Sequence, residues 1–229
     1  MGKFIRERLW QKPMVDVTTH GEAPAVMFSN DDEEFLLDLT SESESSKRVK
    51  QVVLASVLAS LSIAAAPIAE FVPRIPGWGI AVFDPVSIFW IVSFLLGGVW
   101  VGLISVISGT LGLFLYDPTG VGPIFKLIAT LPMVLIPWIG VHKLRREEGG
   151  ESLSRPKFYF MLMGLAFLLR LGLMIPINLA YGAIAYPFFT MEFITAYAVI
   201  LNAFQSVWDA LIPFIIVYQT KVFKTFKMW

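Results

Sequence analysis

Three charged side chains stand inside stretches that are otherwise apolar, and these residues are the ones best placed to do chemistry. They are Lys126, Arg170 and Asp209. A charge inside a bilayer is costly, so such residues are candidates for ligand binding, ion coupling or helix pairing. At about 1.5 Å per helical residue, Arg170 and Asp209 lie at similar depths, roughly 20 Å and 17 Å from the same side. We therefore predict an Arg170–Asp209 ion pair, either as a structural tie between helices or beside a ligand.

A row of hydrogen-bonding side chains accompanies Asp209. Asn202, Gln205 and Asp209 are spaced i, i+3 and i+7 and therefore share one helix face, with Trp208 close to it. Such a row can line a small-molecule pocket or can hold neighbouring helices together. Lys126 lies within a turn of the outer end of its own predicted helix, where it either extends to the interface or faces a cavity.

The motifs of soluble enzymes are missing from this sequence. It contains no G-x-x-x-x-G-K-[ST], no H-E-x-x-H and no G-x-S-x-G. The absence of cysteine excludes disulfides, Cys-ligated metals and a thiol nucleophile, and the two histidines, His20 and His142, lie far apart in the sequence. We expect no enzyme, no metal site and no ATP site on this chain, so uphill transport would need an ion gradient or an ATPase partner.

The composition identifies the elements that must position these residues. Of 229 residues, 56% are hydrophobic and 16% are charged, against about 45–50% and about 25% in soluble domains. The first 50 residues hold ten acidic and seven basic residues, which leaves 19 charges for the remaining 179. With a mean hydropathy of +0.68, the chain is predicted to be an all-α integral membrane protein. A soluble domain and a nucleic-acid-binding protein are both excluded.

Six membrane-spanning helices are predicted, since a span needs about 20 mostly apolar residues. One uncharged run of 32 residues, 85–116, is too long for one ordinary span, and its Gly97-Gly98 pair predicts a turn between two helices. The predicted helical stretches are 51–69, two within 85–116, 123–141, 157–179 and 192–220.

The distribution of basic residues predicts the orientation. With six spans, eleven Lys and Arg residues fall on the side of both termini, and only Arg74 falls on the other. By the positive-inside rule, both termini are cytoplasmic and the protein lies in the cell membrane. Residues 1–46 form an acidic, Ser-rich cytoplasmic tail that we expect to be disordered, and residues 47–229 form the six-helix transmembrane substrate-binding domain.

Small residues recur at helix-packing spacing in two places. In the third helix the stripe favours internal packing. In the first helix Ala55 and Ala59 form an A-x-x-x-A, which packs either inside the bundle or against a partner protein. The residues of the longer stripe are Gly98, Gly102, Ser105, Gly109 and Gly112.

The first outer loop, 72–85, is stiff and aromatic. It reads VPRIPGWGIAVFDP, with Trp78 and Phe83 among three prolines and two glycines. The loop either covers a cavity as a lid or packs on the helix tops without a ligand.

An ordered set of motifs runs from Phe83 to Pro132. The segment reads FDPVSIFWIVSFLLGGVWVGLISVISGTLGLFLYDPTGVGPIFKLIATLP, with Asp84-Pro85 ending a loop, Gly97-Gly98 between two helices, and T-G-x-G at 119–122. This order resembles the substrate-binding S component of energy-coupling factor (ECF) vitamin transporters, over roughly residues 50–220. The resemblance implies a six-helix S-component bundle with cytoplasmic termini. It also implies that Ala55 and Ala59 dock on a transmembrane scaffold subunit.

Within that family the chain is most similar to the riboflavin-binding members. Their N-x-x-K in the last helix corresponds to Asn202 and Gln205, so the lysine is absent here. Lys126 and Arg170 stand where those members often have asparagine. Asp84 agrees with their pattern, and Tyr181 resembles an aromatic residue that follows a proline in their fifth helix. The two cations would suit an anionic vitamin, an alternative that stays open beside riboflavin.

The resemblance implies a subunit that captures a vitamin from outside, with no covalently bound cofactor. Its partners would be a scaffold subunit and two ATPase subunits of an energy-coupling module, with riboflavin or a related flavin as ligand. A stand-alone secondary transporter or channel, and a structural or assembly membrane protein, stay open as alternatives. The implied binding residues lie between the outer halves of helices four to six and in the loop above: Asn202, Gln205, Lys126, Arg170, Trp78, Phe83, Asp84, Phe125, Tyr181 and Trp208.

Overall fold

The chain forms a bundle of long helices. A computed structural model describes residues 44–74, 81, 83–226, 228 and 229. Apart from one isolated bridge between Arg74 and Ala81, the regular structure of these residues is helical, as predicted. A 3₁₀ helix, Gly149–Ser154, precedes α5, and a π-helical turn, Ile215–Gln219, continues α6. The α-helices are α1 (Glu44–Ala65), α2 (Ile68–Phe71), α3 (Val86–Leu113), α4 (Val121–Leu144), α5 (Pro156–Ala185), α6 (Met191–Phe214) and α7 (Val222–Phe226).

Five helices are long and apolar enough to cross a membrane: α1, α3, α4, α5, and α6 with its π-helical extension. They indicate a multi-pass membrane protein. The count is one fewer than the six predicted, because residues 86–113 form one helical run. Residues 1–43 of the predicted tail lie outside the described residues. Residues 44–46, which we also assigned to the tail, form the first turn of α1.

The helical run α3 folds back on itself at Gly98. This residue has φ 85° and ψ −175°, a conformation that glycine adopts readily. A Cβ placed on Gly102 would lie 2.6 Å from Cβ of Phe94, and one on Gly109 would overlap Nε1 of Trp90. In a straight helix residues 90 and 109 would be roughly 28 Å apart. The two arms of α3 therefore lie side by side, and the break predicted at the glycine pair is present.

The helix α1 packs on α3 through small residues. The indole Nε1 of Trp90 donates to Oγ of Ser62 at 2.8 Å, and both side chains are fully buried. Ala55 and Ala59 are 0% and 3% exposed. This burial conflicts with their expected role as a docking surface for a scaffold subunit, because the chain's own helices already cover both methyl groups. The small-residue stripe of α3 also packs internally, as predicted.

One end of the bundle, here called the basic end, carries the turn of α3, the 3₁₀ helix and the last residues of the chain. Nε1 of Trp229 donates to the Leu95 carbonyl at 3.0 Å, and the Tyr218 hydroxyl donates to the Gly150 carbonyl at 2.9 Å. Lys50 of α1 lines a groove with residues 225, 226 and 228. Ten of the eleven basic residues that we grouped by sequence therefore meet at this end, and the eleventh, Lys227, lies outside the described residues.

The opposite end, here called the cavity end, holds α2, the connection from α3 to α4 and the connection from α5 to α6. A turn at 117–122 leads into α4. Asp117 accepts hydrogen bonds from the backbone N–H groups of Thr119 (3.1 Å) and Gly122 (2.9 Å) and from the Thr119 hydroxyl. Gly120 has φ 74°, which a residue with a side chain would adopt only with strain. The T-G-x-G motif therefore has a structural reason here, since it forms the turn that starts α4, with the Asp117 carboxylate at the helix N-terminus.

Candidate functional site

Arg170 of α5 binds the whole polar face of α6. Its Nε donates to Oδ1 of Asn202 at 2.7 Å, and its Nη1 donates to Oδ2 of Asp209 at 2.7 Å. Its Nη2 donates to Oε1 of Gln205 at 2.6 Å. The i, i+3, i+7 spacing makes this possible, because it places three acceptors in one row along a helix face. The predicted Arg170–Asp209 ion pair is present, and both residues are 1% exposed.

A third helix joins this network through the second oxygen of Asp209. The Ser87 hydroxyl of α3 donates to Oδ1 of Asp209 at 2.6 Å. Each oxygen of the carboxylate thus has a partner, and the guanidinium donates to three side chains. Burying two charges is costly unless hydrogen bonds to neighbouring groups offset the loss of water. Here both oxygens of Asp209 accept, and three of the five N–H groups of the guanidinium donate. The network ties α3, α5 and α6 together in the bundle interior.

The guanidinium also fixes the orientation of two amide side chains. Arginine only donates hydrogen bonds, so the atoms of Asn202 and Gln205 that face it must be oxygens. The Asn202 nitrogen donates to the Ala198 carbonyl at 2.7 Å. The Gln205 nitrogen is left as the group of that side chain that can donate to a ligand. Arg170 therefore positions a hydrogen-bond donor on the wall of a cavity that it does not itself line.

A second ion pair lies closer to the cavity end, between Lys126 of α4 and Asp84. Nζ of Lys126 contacts Oδ2 of Asp84, and the two side chains are 14% and 18% exposed. The other oxygen of Asp84 accepts from the backbone N–H of Val86 at 3.0 Å and so holds the start of α3. No partner for Lys126 was predicted from the sequence, whereas the structure gives it a carboxylate partner.

The Lys126–Asp84 pair forms part of the wall of a cavity of about 330 Å³, here called the polar cavity. Asn202 and Gln205 lie on its α6 side, and Asn178 lies on its α5 side. The other lining residues are Ala66, Ala69, Val86, Leu113, Tyr116, Asp117, Gly122, Pro123, Phe125, Ala129, Met174 and Leu201.

A second cavity of about 430 Å³, here called the aromatic cavity, adjoins the first. The two share four wall residues, Gly122, Phe125, Asn178 and Leu201. The rings around the second cavity contact one another; those of Phe125 and Tyr181, for example, lie 5.3 Å apart, edge to face. Its remaining lining residues are Val121, Tyr181, Gly182, Tyr186, Phe189, Phe193, Ile194 and Tyr197.

The predicted binding residues separate into three groups. Asn202, Gln205, Lys126, Asp84 and Phe125 line the polar cavity, and Tyr181 lines the aromatic cavity. Three others line neither of these two cavities. Arg170 is buried behind the amides, and the rings of Phe83 and Trp208 contact each other edge-on, 6.0 Å apart. Trp78 lies outside the described residues, and so does most of the loop that we expected to act as a lid.

Several lining residues were missed by the sequence analysis. Asn178 is the amide of α5 that lines both cavities, and it lies two turns after Arg170. A polar residue in an apolar stretch was the signal that could have found it. Four missed aromatic residues lie where α5 ends and α6 begins, and their density in the short stretch YPFFTMEFITAY was a second usable signal. They are Tyr186, Phe189, Phe193 and Tyr197.

Comparison of the chain with family models, with curated proteins and with solved structures finds no match.

Proposed function

We propose that this protein captures an amphipathic small molecule, most simply riboflavin or a related flavin, as the substrate-binding subunit of an ECF-type importer. The observation that carries the proposal is the pair of adjoining cavities, one lined by polar groups and one by aromatic rings. A flavin has three fused aromatic rings and a polyhydroxyl chain. Aromatic side chains suit the rings, and a few placed polar groups suit the chain.

The proposed topology has six passes with both cavities facing outward. The two arms of α3, 86–97 and 99–113, count as separate passes, because each runs the length between opposite ends of the bundle. At about 1.5 Å per residue the first arm is only about 18 Å long, so it is short for a bilayer core of about 30 Å. The cluster of basic residues favours the cytoplasm for the basic end and the outside for the cavity end.

The proposed partners are a transmembrane scaffold subunit and two ATPase subunits. The sequence contains no phosphate-binding loop of the G-x-x-x-x-G-K-[ST] type, so ATP-driven uptake would depend on other chains. Since Ala55 and Ala59 are buried, a scaffold subunit would have to contact other residues. An S component for a different vitamin is the nearest alternative to a flavin-binding one.

The first test is the content of the purified protein. The full chain, purified in mild detergent, should be yellow and release one flavin per chain, as measured by absorbance and mass spectrometry. A colourless preparation that carries another vitamin-like mass would retain the capture role and replace the ligand. A preparation that is empty and does not quench the fluorescence of added riboflavin would contradict flavin capture.

Substitution at the shared wall tests whether the cavities are the site. Phe125 lines both cavities, so Phe125→Ala should weaken riboflavin binding at least tenfold, in keeping with a stacking ring. Phe160→Ala is the matched control, because Phe160 lies in the basic-end half of α5 and lines neither cavity. Equal affinities of the two variants would place the binding site elsewhere.

A stand-alone secondary transporter is the second candidate, and the buried Arg170–Asp209 pair is the observation that favours it. Charged pairs inside a bundle mark ion pathways in many transporters. Uptake by the chain alone in liposomes, under a proton or sodium gradient, distinguishes the two. Gradient-driven accumulation of riboflavin without partners would favour this second function, whereas binding without accumulation would favour the capture subunit.

A further inference from the structure

Both cations that the sequence places near the cavities have a carboxylate of their own. Arg170 pairs with Asp209 behind the amide side chains and lines neither cavity. Lys126 does line the polar cavity, but its ammonium contacts Asp84, which lines the same cavity. The positive charge that could attract an anionic ligand is therefore already matched by a fixed negative charge beside it.

The remaining charge on the cavity walls is negative. Among the described residues that line the two cavities, the charged ones are Lys126, Asp84 and Asp117. Hydrogen bonds from Thr119 and Gly122 lower the pKa of the Asp117 carboxyl below its ordinary value of 3.8, so it is ionised at neutral pH. Arg74 at this end is exposed and lines neither cavity, although its charge acts on Tyr197 in the wall of the aromatic cavity. One positive and two negative side chains leave the walls with an excess of one negative charge.

The available hydrogen-bonding groups suit an uncharged polar ligand. The Lys126–Asp84 pair presents a donor next to an acceptor, and the Gln205 nitrogen adds a further donor. Neighbouring donors and acceptors match an amide, an imide or a run of hydroxyls. An anion would have to displace Asp84 from Lys126, or else lie beside the Asp84 carboxylate where water is partly excluded, and both arrangements are costly.

We propose that the cavity selects uncharged ligands and excludes anions, and that Asp84 sets this selectivity by occupying Lys126. The inference rests on the proposed capture of a small molecule in these cavities. It argues against the anionic vitamin, the alternative that Lys126 and Arg170 left open in the sequence.

The first arm of the test compares riboflavin with riboflavin 5′-phosphate, which shares its rings and adds an anionic group. The full chain in detergent should bind riboflavin at least tenfold more tightly than the phosphate ester, by fluorescence titration. Asp84→Asn should reduce this ratio at least threefold, because it frees the Lys126 ammonium while an asparagine oxygen still accepts from the Val86 N–H. Equal or tighter binding of the ester by the unmodified chain overturns the proposal, whether or not the variant folds.

The second arm does not depend on flavins and uses inorganic phosphate as the probe. At matched ionic strength, phosphate should leave the unfolding temperature of the unmodified chain unchanged relative to chloride. It should raise that of Asp84→Asn by at least about 2 °C, since a bound ligand stabilises the folded state. Stabilisation of the unmodified chain by phosphate, abolished by Lys126→Met, overturns the proposal. If neither flavin binds, the proposed flavin capture fails, and this arm still decides the charge selectivity.

Glu148→Gln is the matched control for both arms. It removes one carboxylate at the basic end, where Glu148 accepts from Arg145 and Arg155 on an exposed surface. The ligand ratio and the phosphate response of this variant should equal those of the unmodified chain. A change as large as that of Asp84→Asn would mean that net charge, and not the Lys126–Asp84 pair, controls the selectivity, which contradicts the assignment to Asp84.

Discussion

Two inward-facing ion pairs of similar chemistry lie in different surroundings in the part of the chain that the structure describes. Arg170–Asp209 is almost fully buried, and both of its members make further hydrogen bonds to Ser87, Asn202 and Gln205. Lys126–Asp84 lies in a cavity wall, and its two side chains are 14% and 18% exposed. The first pair is closed to a ligand because it is buried and lines neither cavity, whereas the second can exchange partners with a molecule that enters the cavity.

This difference in burial gives the two pairs different roles. A buried network with several hydrogen bonds fixes the relative positions of the helices and the orientation of their side chains. A partly exposed pair costs less to disturb and can respond to a ligand. Stability should therefore depend mainly on Arg170–Asp209, and ligand affinity mainly on Lys126–Asp84.

The largest expected effect is the loss of stability on removing Arg170. Arg170→Met leaves Asp209 buried without its cation, and breaking such a pair costs about 3–5 kcal/mol. The thermal unfolding of the purified protein in detergent should shift strongly downward, with a low yield of folded protein. The control Glu148→Gln, at an exposed pair, should change the free energy of unfolding by less than about 1 kcal/mol. An Arg170→Met variant as stable as that control would show that the buried pair is not what holds the helices.

Removing both charges should restore part of that loss. In Arg170→Met/Asp209→Leu no charge is left unpaired, and apolar replacements of buried pairs are often neutral or stabilising. The double variant should recover at least about half of the free energy of unfolding that Arg170→Met loses. A double variant less stable than Arg170→Met would contradict this account of the penalty and would favour an independent role for Asp209.

Substitution of Lys126 should have the opposite pattern, with a large effect on ligand affinity and a small effect on stability. Lys126→Met should lower riboflavin affinity at least tenfold, because a donor on the cavity wall is lost. Its cost in unfolding free energy should be only about 1–2 kcal/mol, since Asp84 keeps the Val86 N–H and partial contact with water. Parallel titration and thermal unfolding measure both quantities. A large loss of stability with unchanged affinity would contradict the role of Lys126–Asp84 in ligand binding and would give it a structural role instead.

The smallest effect concerns Asp117, the carboxylate of the polar cavity wall that belongs to neither ion pair. Hydrogen bonds from Thr119 and Gly122 lower its pKa from 3.8, so the folded state binds this proton less tightly than the unfolded state. Its contribution to stability is present above about pH 4 and is lost as the pH falls through the folded-state pKa. The unfolding temperatures of the unmodified chain and Asp117→Asn should therefore differ at pH 6 and converge below about pH 4. A gap that stays constant on acidification would contradict this role.

Much of the site was predictable because it depends on short-range spacing. The i, i+3, i+7 row placed Asn202, Gln205 and Asp209 on one face, and equal depth paired Asp209 with Arg170. The aromatic cavity was missed, because its rings come from two helix ends and their connection, which meet only in the folded bundle. The partner of Lys126 was missed for a related reason, since Asp84 is 42 residues away and belongs to a different element.

The sequence by itself determined the helical class, the apolar stretches, the break at the glycine pair and the grouping of basic residues at one end. Each of these follows from local composition, from periodicity or from the conformational freedom of glycine. Tertiary structure alone decided which face of α1 is covered, and hence that Ala55 and Ala59 are buried. It also decided that Lys126 has a carboxylate partner in Asp84, because this pairing depends on a distance between two elements that the spacing along any one helix leaves open.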